Sequence, residues 1–325
     1  MPITAKSAMR TYFGFGKQSA MGTAVAPTGF PRWLDGSRLT PEVRSETLRE
    51  GTGSREATLL LKRSQIYRGE LLCYPRSIEA GFIAAAILGA GSDSVSGGGA
   101  PYTHTITPKG SPAYYSAEFG LLDSSLVYRA QDCVFDRLTI ECEAGRPVKF
   151  TAKYAGGGAT SQGSAAAVSN ESGSPMLFTG GTFTIDGASL ATVSRATLVI
   201  SNHIDVETQF NGVSPLLLTF GALEVSVMYT LLFQDSAQFK KLFWNSGTSD
   251  SHVVGTGSLD LTFLAGGTDT NNSLRLQVPQ LSYVAGPVEP ALDGRPIFQE
   301  CRGFGTSGAS PAVTVVAKNT QAGAY

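Results

Sequence analysis

Apolar and polar positions alternate most strictly between Cys133 and Tyr154. Leu138, Ile140 and Cys142 alternate with Arg137, Thr139, Glu141 and Glu143; beyond Ala144-Gly145-Arg146, Val148, Phe150, Ala152 and Tyr154 alternate with Lys149, Thr151 and Lys153. A period of two on both sides of a Gly-containing turn predicts a β-hairpin with one apolar face. The pattern sets Cys142 opposite Val148, Ile140 opposite Phe150 and Leu138 opposite Ala152. On the other face Glu141 meets Lys149 and Thr139 meets Thr151, both favourable cross-strand pairs. Arg137 opposite Lys153 is unfavourable and calls for a third charged partner. The polar face is charged but carries no evident catalytic group.

Other segments read as strands: Gly69–Tyr74 (ended by Pro75), Tyr102–Thr107, Tyr114–Phe119, Thr182–Gly187 (strand and turn), Ala196–Ile200, Leu216–Phe233 (one long strand or a strand pair), Leu259–Phe263, Leu274–Pro279 and Val313–Ala317. Ser77 reads as the cap of a short helix with Phe82, Ile83, Ile87 and Leu88 as its buried stripe and Gly89 at its end. Asp235 or Ser236 opens a second, with Phe239, Leu242 and Phe243 on one face and Gly247 closing it. Strand, short helix, Gly/Ser loop and strand thus follow one another twice, at 69–107 and 221–263, the mark of an internal duplication. Three regions result: an N-terminal arm and first strand (1–34), a β domain (35–284) with related halves at about 35–155 and 175–284, and a C-terminal arm and final strand (285–325). The Gly/Ala/Ser stretch 156–174 reads as a surface loop.

Charge changes the picture at one place. Twelve of the 51 charged residues fall between Asp35 and Arg68, with signs interleaved. Arg38, Glu42, Arg44, Glu46, Arg49, Glu50, Arg55, Glu56, Lys62 and Arg63 are the candidates for a long excursion that docks on another subunit, alternating signs setting the register. The plain alternative is a solvated loop without a partner.

Composition excludes several classes. The net charge of −1 leaves no basic excess to grip nucleic acid. Met1–Lys6 is not followed by an apolar run, so no cleaved signal peptide is expected, and the stretches around Gly81–Gly91 and Leu216–Phe233 are too short or interrupted to span a bilayer as helices. Without a secretion signal the acceptor-like Asn170-Glu171-Ser172 and Asn271-Asn272-Ser273 carry no meaning. Cys73, Cys133, Cys142 and Cys301 lack close pairing and read as buried, reduced thiols. His104, His203 and His252 have no metal-type spacing. His104 reads as a polar strand residue without a nearby carboxylate, and His203 with Asp205 as a surface pair. No catalytic, cofactor or metal residue is expected, although a two-carboxylate glycosidase is not eliminated by sequence.

Gln18–Thr28 (QSAMGTAVAPT) resembles the opening of the major tail tube proteins of long, non-contractile-tailed (siphovirus-type) bacteriophages. Segments similar to that family follow in the same order: Leu39-Thr40-Pro41-Glu42, Leu71–Gly89, Pro101–Pro108, Phe183–Gly187, Phe233–Asp235 through Phe243–Thr248, and Pro311–Val315. Loop 156–174 departs from the family pattern. The resemblance implies a mainly β, two-sheet sandwich or half-barrel with short flanking helices, long assembly loops and terminal packing arms. It implies a homo-oligomer, hexameric rings stacked into a tube with a β-barrel lumen for genome ejection, whose loop near 38–63 touches the neighbouring ring. Tape-measure and tail-tip or terminator proteins would be its partners, DNA would pass without specific contact, no membrane would be involved, and the virion tail, assembled in host cytoplasm, would be its location. The competing readings are another tail-completion, decoration or capsid protein, a monomeric binding module, and a carbohydrate-active enzyme.

Overall fold

The computed structural model describes residues 10–48, 59–122, 126–162, 164–208, 214–234, 236–245, 247–249, 254–288 and 296–325. The hairpin expected from strict alternation forms from β7 (Val127–Glu143) and β8 (Lys149–Gly156). Ile140 pairs with Phe150, Leu138 with Ala152, Thr139 with Thr151 and Glu141 with Lys149. All four apolar members are buried, because one face of the pleat packs inward. Arg137 does stand opposite Lys153, and the third partner is Glu70 on the next strand, 3.7 Å from Lys153 Nζ.

Around that hairpin the first part of the chain supplies β1 (Thr11–Lys17), β2 (Arg38–Leu48), β3 (Leu59–Cys73), α1 (Ser77–Leu88), β4 (Asp93–Ser96), β5 (Tyr102–Ile106), β6 (Tyr115–Leu121) and β9 (Ala159–Ser161). The second part supplies β10 (Met176–Ile185), β11 (Ala188–Ser189), β12 (Val193–Ser201), β13 (Asp205–Thr208), β14 (Pro215–Thr219), β15 (Glu224–Leu232), α2 (Ala237–Trp244), β16 (Thr256–Ala265), β17 (Asp269–Ala285), β18 (Phe298–Gly305) and β19 (Thr314–Asn319). The protein is mainly β, one large antiparallel sheet system plus the small β13–β14 pair. One run of strands reads β2-β3-β8-β7-β12-β15-β18, and another reads β4-β5-β19-β17-β16-β10. β17 belongs to both, since its last residues pair with β18. β1-β6-β7-β9 forms a third patch that shares the N-terminal half of β7.

β7 turns from one patch to the next at Asp132, whose φ of 56° is left-handed, with a bulge after Phe135. The buried Asp132 carboxylate accepts from Gly22 N–H at 2.7 Å and Gln18 Nε2 at 3.1 Å, while Gln18 Oε1 accepts from Asp132 N–H at 2.9 Å. The apparently weak glycine-rich N-terminus is therefore a fixed joint. Its aromatic residues enter the core: Phe15 meets Tyr154 edge-on at 5.3 Å. At Gly69 a Cβ would lie 2.0 Å from the Tyr154 ring, so only glycine lets β3 approach β8 here.

α1 is in contact with β7 and with β5, β17 and β19. It is buried nearly all round, in place of the one-sided stripe expected, and Phe82 is only half-buried. Ser77 is its first helical residue and not its cap. Arg76 N–H bonds Glu79 Oε2 at 3.0 Å, and the remote Glu171 takes Ile78 and Glu79 N–H at 3.1 Å each and the Ser77 hydroxyl at 3.1 Å. A carboxylate among unpaired N–H groups at a helix N-terminus is favourable. Glu171 thereby ties down the 156–174 stretch, helped by Asn170 Nδ2 donating to Phe30 O at 2.7 Å. α2 is half-exposed with no buried residue, and left-handed Asn245 ends it where Gly247 was expected.

Elsewhere the outcome differs from the pattern for physical reasons. Segment 91–100 carries edge strand β4; of the two expectations for 216–233 the structure has two strands, β14 and β15, which pair with different neighbours. The 285–325 stretch contributes two strands, both interior: β18 between β15 and β17, β19 between β17 and β5. Tyr325 then buries its ring against His104 at 4.6 Å.

Candidate assembly surface

The charged stretch is a β-ribbon. β3 begins at Leu59, ten residues before the alternation predicted, and pairs along its length with β2, from Arg38 opposite Glu70 to Leu48 opposite Leu59. Only Tyr67–Cys73 of β3 also pair with β8. Beyond Tyr67 the two strands have each other alone among the described residues. A free two-stranded ribbon is marginal in water.

Its base is anchored. Leu39 is buried, the Tyr128 hydroxyl donates to Leu39 O, and the Tyr67 and Tyr128 rings lie 6.2 Å apart. Along the ribbon the described candidate residues pair both across the strands and along them. Arg38 bonds Glu70 at 2.8 Å, Arg63 lies 3.3 Å from Glu46, Arg68 bonds Glu42 with Arg44 3.9 Å from it, and Lys62 donates to Gln65. Arg49, Glu50, Arg55 and Glu56 lie outside the described residues. Exposed pairs of this kind contribute about 0–1 kcal/mol each, so they orient more than they stabilise.

The residues that sequence reading missed are apolar. Val43 is 50% exposed, and Leu59, Leu60 and Leu61 are 53%, 65% and 41% exposed. Three consecutive leucines inside a charged stretch were the available signal. Covering one leucine fully is worth about 1.5–3 kcal/mol, which outweighs any single surface ion pair. The ribbon thus exposes apolar area beside an ordered set of paired charges.

Most of the candidate chemistry elsewhere is turned inward, the exposed His203 excepted. His104 is fully buried and does have a carboxylate, Asp93, at 2.8 Å across the β4–β5 pair; its Nε2 faces Gln321 O at 2.9 Å. The sequence reading missed Asp93 because antiparallel pairing, and not adjacency, brings it close. His203 pairs with Glu224 at 3.5 Å. His252 lies outside the described residues. All four cysteines are buried and unpaired, and burial pushes the Cys133 thiol up to about 12 and Cys301 to about 11, so neither is a thiolate near neutrality. A cavity of about 370 Å³ beside the first turn of α1 is lined by Lys17, Phe30, Glu79, Glu171 and Tyr325 among others. It holds two carboxylates, but Glu171 caps α1 and Glu79 takes the N–H groups of Arg76 and Arg32. Burial raises the Glu79 pKa, the Arg76 N–H bond opposes that, and Glu171 adds to it. Among the described residues no His/Cys/Asp/Glu group could hold a metal, and no helix is long and apolar enough to cross a membrane.

Comparison with curated proteins gives no match. The phage tail tube protein family model matches residues 9–314, a span holding both the ribbon and the helix-bearing core. With nearly its whole length matched, the chain belongs to the phage tail tube protein family and is a structural component of the virion tail.

Proposed function

We propose that the chain is the repeating subunit of hexameric rings that stack into the tail tube of a long, non-contractile-tailed phage, the conduit through which the genome leaves. The β2–β3 ribbon carries this reading: a long, marginal pair of strands with exposed leucines gains its missing contacts from a neighbouring ring. Arg38, Glu42, Arg44, Glu46, Lys62 and Arg63, together with Arg49, Glu50, Arg55 and Glu56 outside the described residues, set which neighbour is accepted. A contact of this heterologous kind that does not close on itself builds a filament.

A net charge of −1 suits a conduit through which DNA slides, since strong phosphate contacts would hold it. The family resemblance extends the reading to a tape-measure protein inside the tube, tip and terminator proteins at its ends, and assembly in the host cytoplasm. Charge reversal to Glu at Arg44, Arg49, Arg55 and Arg63 together tests the ribbon's role. The expected product is a folded monomer that forms no tubes by electron microscopy; tubes indistinguishable from wild type would refute it.

A further inference from the structure

We propose that the chain is two copies of one fold unit in tandem, and that the junction between them, β7 beside β12, is the template for the contact between one chain and the next. The proposal deepens the tube reading and rests on it. The motivating observation is a recurrence of strand pairings in chain order. β1–β6 recurs as β10–β16, β2–β3 as β12–β15, and β3–β8 as β15–β18. Likewise β6–β7 recurs as β16–β17, β7–β8 as β17–β18, and β7–β9 as β17–β19. Every pair is antiparallel, and α1 follows β3 as α2 follows β15. β7 and β17 are both seventeen residues long, and each carries a bulge where it meets its hairpin partner. β4, β5, β11, β13 and β14 are insertions on this common plan.

The registers make the correspondence residue by residue. Setting Ser77, the first residue of α1, on Ala237, the first of α2, places Leu71 on Leu231, both buried. Following the pairings outward places Leu39 on Ala196, both buried, and Arg38-Leu39-Thr40 on Arg195-Ala196-Thr197. It also places Val43 on Ile200 and, through the bridge of Val288 to Gln299, Leu138 on Val288.

Inside the chain, Ile200 of the second unit sits opposite Leu138 of the first, and both are buried. The equivalent residues do not pair within the chain, because β2 stands at one end of the strand run and the last part of β17, beyond β18, at the other. Val43 is half-exposed, and β2 has β3 as its one partner among the described residues. Past Ser282, β17 has left its pairing with β16 and keeps β18. Among the described residues both halves of the β7–β12 junction therefore recur as edges with no strand paired on the outer side. β2 of one chain lies antiparallel beside the continuation of β17 through Gly286-Pro287-Val288 in the next, with Val43 opposite Val288. Such a contact joins unlike surfaces, so its repetition carries the sheet from chain to chain until it closes as a ring, each chain bringing two units. It leaves the ribbon's Leu59, Leu60 and Leu61 for the neighbouring ring.

A cysteine pair tests this in the full chain. Residues opposite each other on antiparallel strands have Cα atoms about 4.5–5.5 Å apart, within the roughly 4.4–6.8 Å a disulfide accepts. The four native thiols are buried and do not compete. Tubes of Val43→Cys/Val288→Cys, mildly oxidised, are expected to run on a non-reducing gel as a ladder of covalent multimers that reducing agent collapses. Glu42→Cys/Val288→Cys, which turns one thiol to the other face, is expected to stay monomeric. Tubes of the first variant without cross-links, or equal cross-linking by the second, would overturn the proposal. Should the paired variant not assemble, cryo-electron microscopy of wild-type tubes decides: any strand other than a neighbour's β17 beside β2 rules it out. Protein that forms no tube under any condition defeats the tube reading itself, and this proposal with it.

Discussion

Two hairpins of this molecule share a motif and differ in where their partners are. β7–β8 has strands on both sides and a buried apolar face, so each inward residue finds its contacts within the chain. β2–β3 is as long and as regular in pairing, yet past Tyr67 it has no third strand among the described residues and leaves three leucines in water. Alternation measures how a strand divides its faces; only neighbours decide whether either face is satisfied. On the proposed function, the unsatisfied hairpin is where an identical copy would dock.

The comparison can be broken most sharply at its two apolar faces. Phe150→Ala in β8 removes a fully buried ring and is expected to cost about 3–5 kcal/mol of monomer stability in urea denaturation. Leu59, Leu60 and Leu61 all changed to Ser should shift each site's share of monomer stability by no more than about 0.5 kcal/mol while abolishing tubes in sedimentation. A large stability loss in the leucine variant would mean the ribbon is already packed within the chain.

The strap over α1 sharpens the same contrast, since it is Gly/Ala/Ser-rich yet satisfied internally. Glu171→Ala should cost about 0.5–2 kcal/mol, the range of a lost helix cap, measured by thermal unfolding, and leave tube formation intact. Glu79→Gln removes a carboxylate whose pKa burial raises above its unfolded value. Wild type binds that proton more tightly when folded, so its stability falls as pH rises from the ordinary carboxylate range through the raised pKa. The Gln variant lacks this loss, and its stability relative to wild type should climb as pH rises above the ordinary carboxylate range; a flat difference would contradict the assignment. The smallest effect belongs to Glu70→Gln, which leaves Arg137 facing Lys153 without their acidic neighbour and should cost under about 1 kcal/mol.

Much of this was legible in the sequence because period-two alternation survives wherever one face is buried. The β7–β8 register, including the need for a charge beside Lys153, follows from side-chain order alone. β2 and the first ten residues of β3 were not legible as strands, because with both faces in water their sequence has no reason to alternate. β18 hid for another reason: its inward positions are Gln299, Cys301 and Gly303, polar or small residues that fit under α2 and β17. Glu171 capping α1 from ninety residues away, and Asp93 meeting His104 across two strands, are contacts that only the folded topology creates.

Amide hydrogen exchange on the monomer and on assembled protein tests the central claim most directly. The ribbon, Val43–Leu48 and Leu59–Ser64, should exchange quickly in the monomer and slow by orders of magnitude on assembly, while β7–β8 stays protected in both. A ribbon that exchanges as fast in the assembled state as in the monomer would contradict completion of the fold by neighbouring copies.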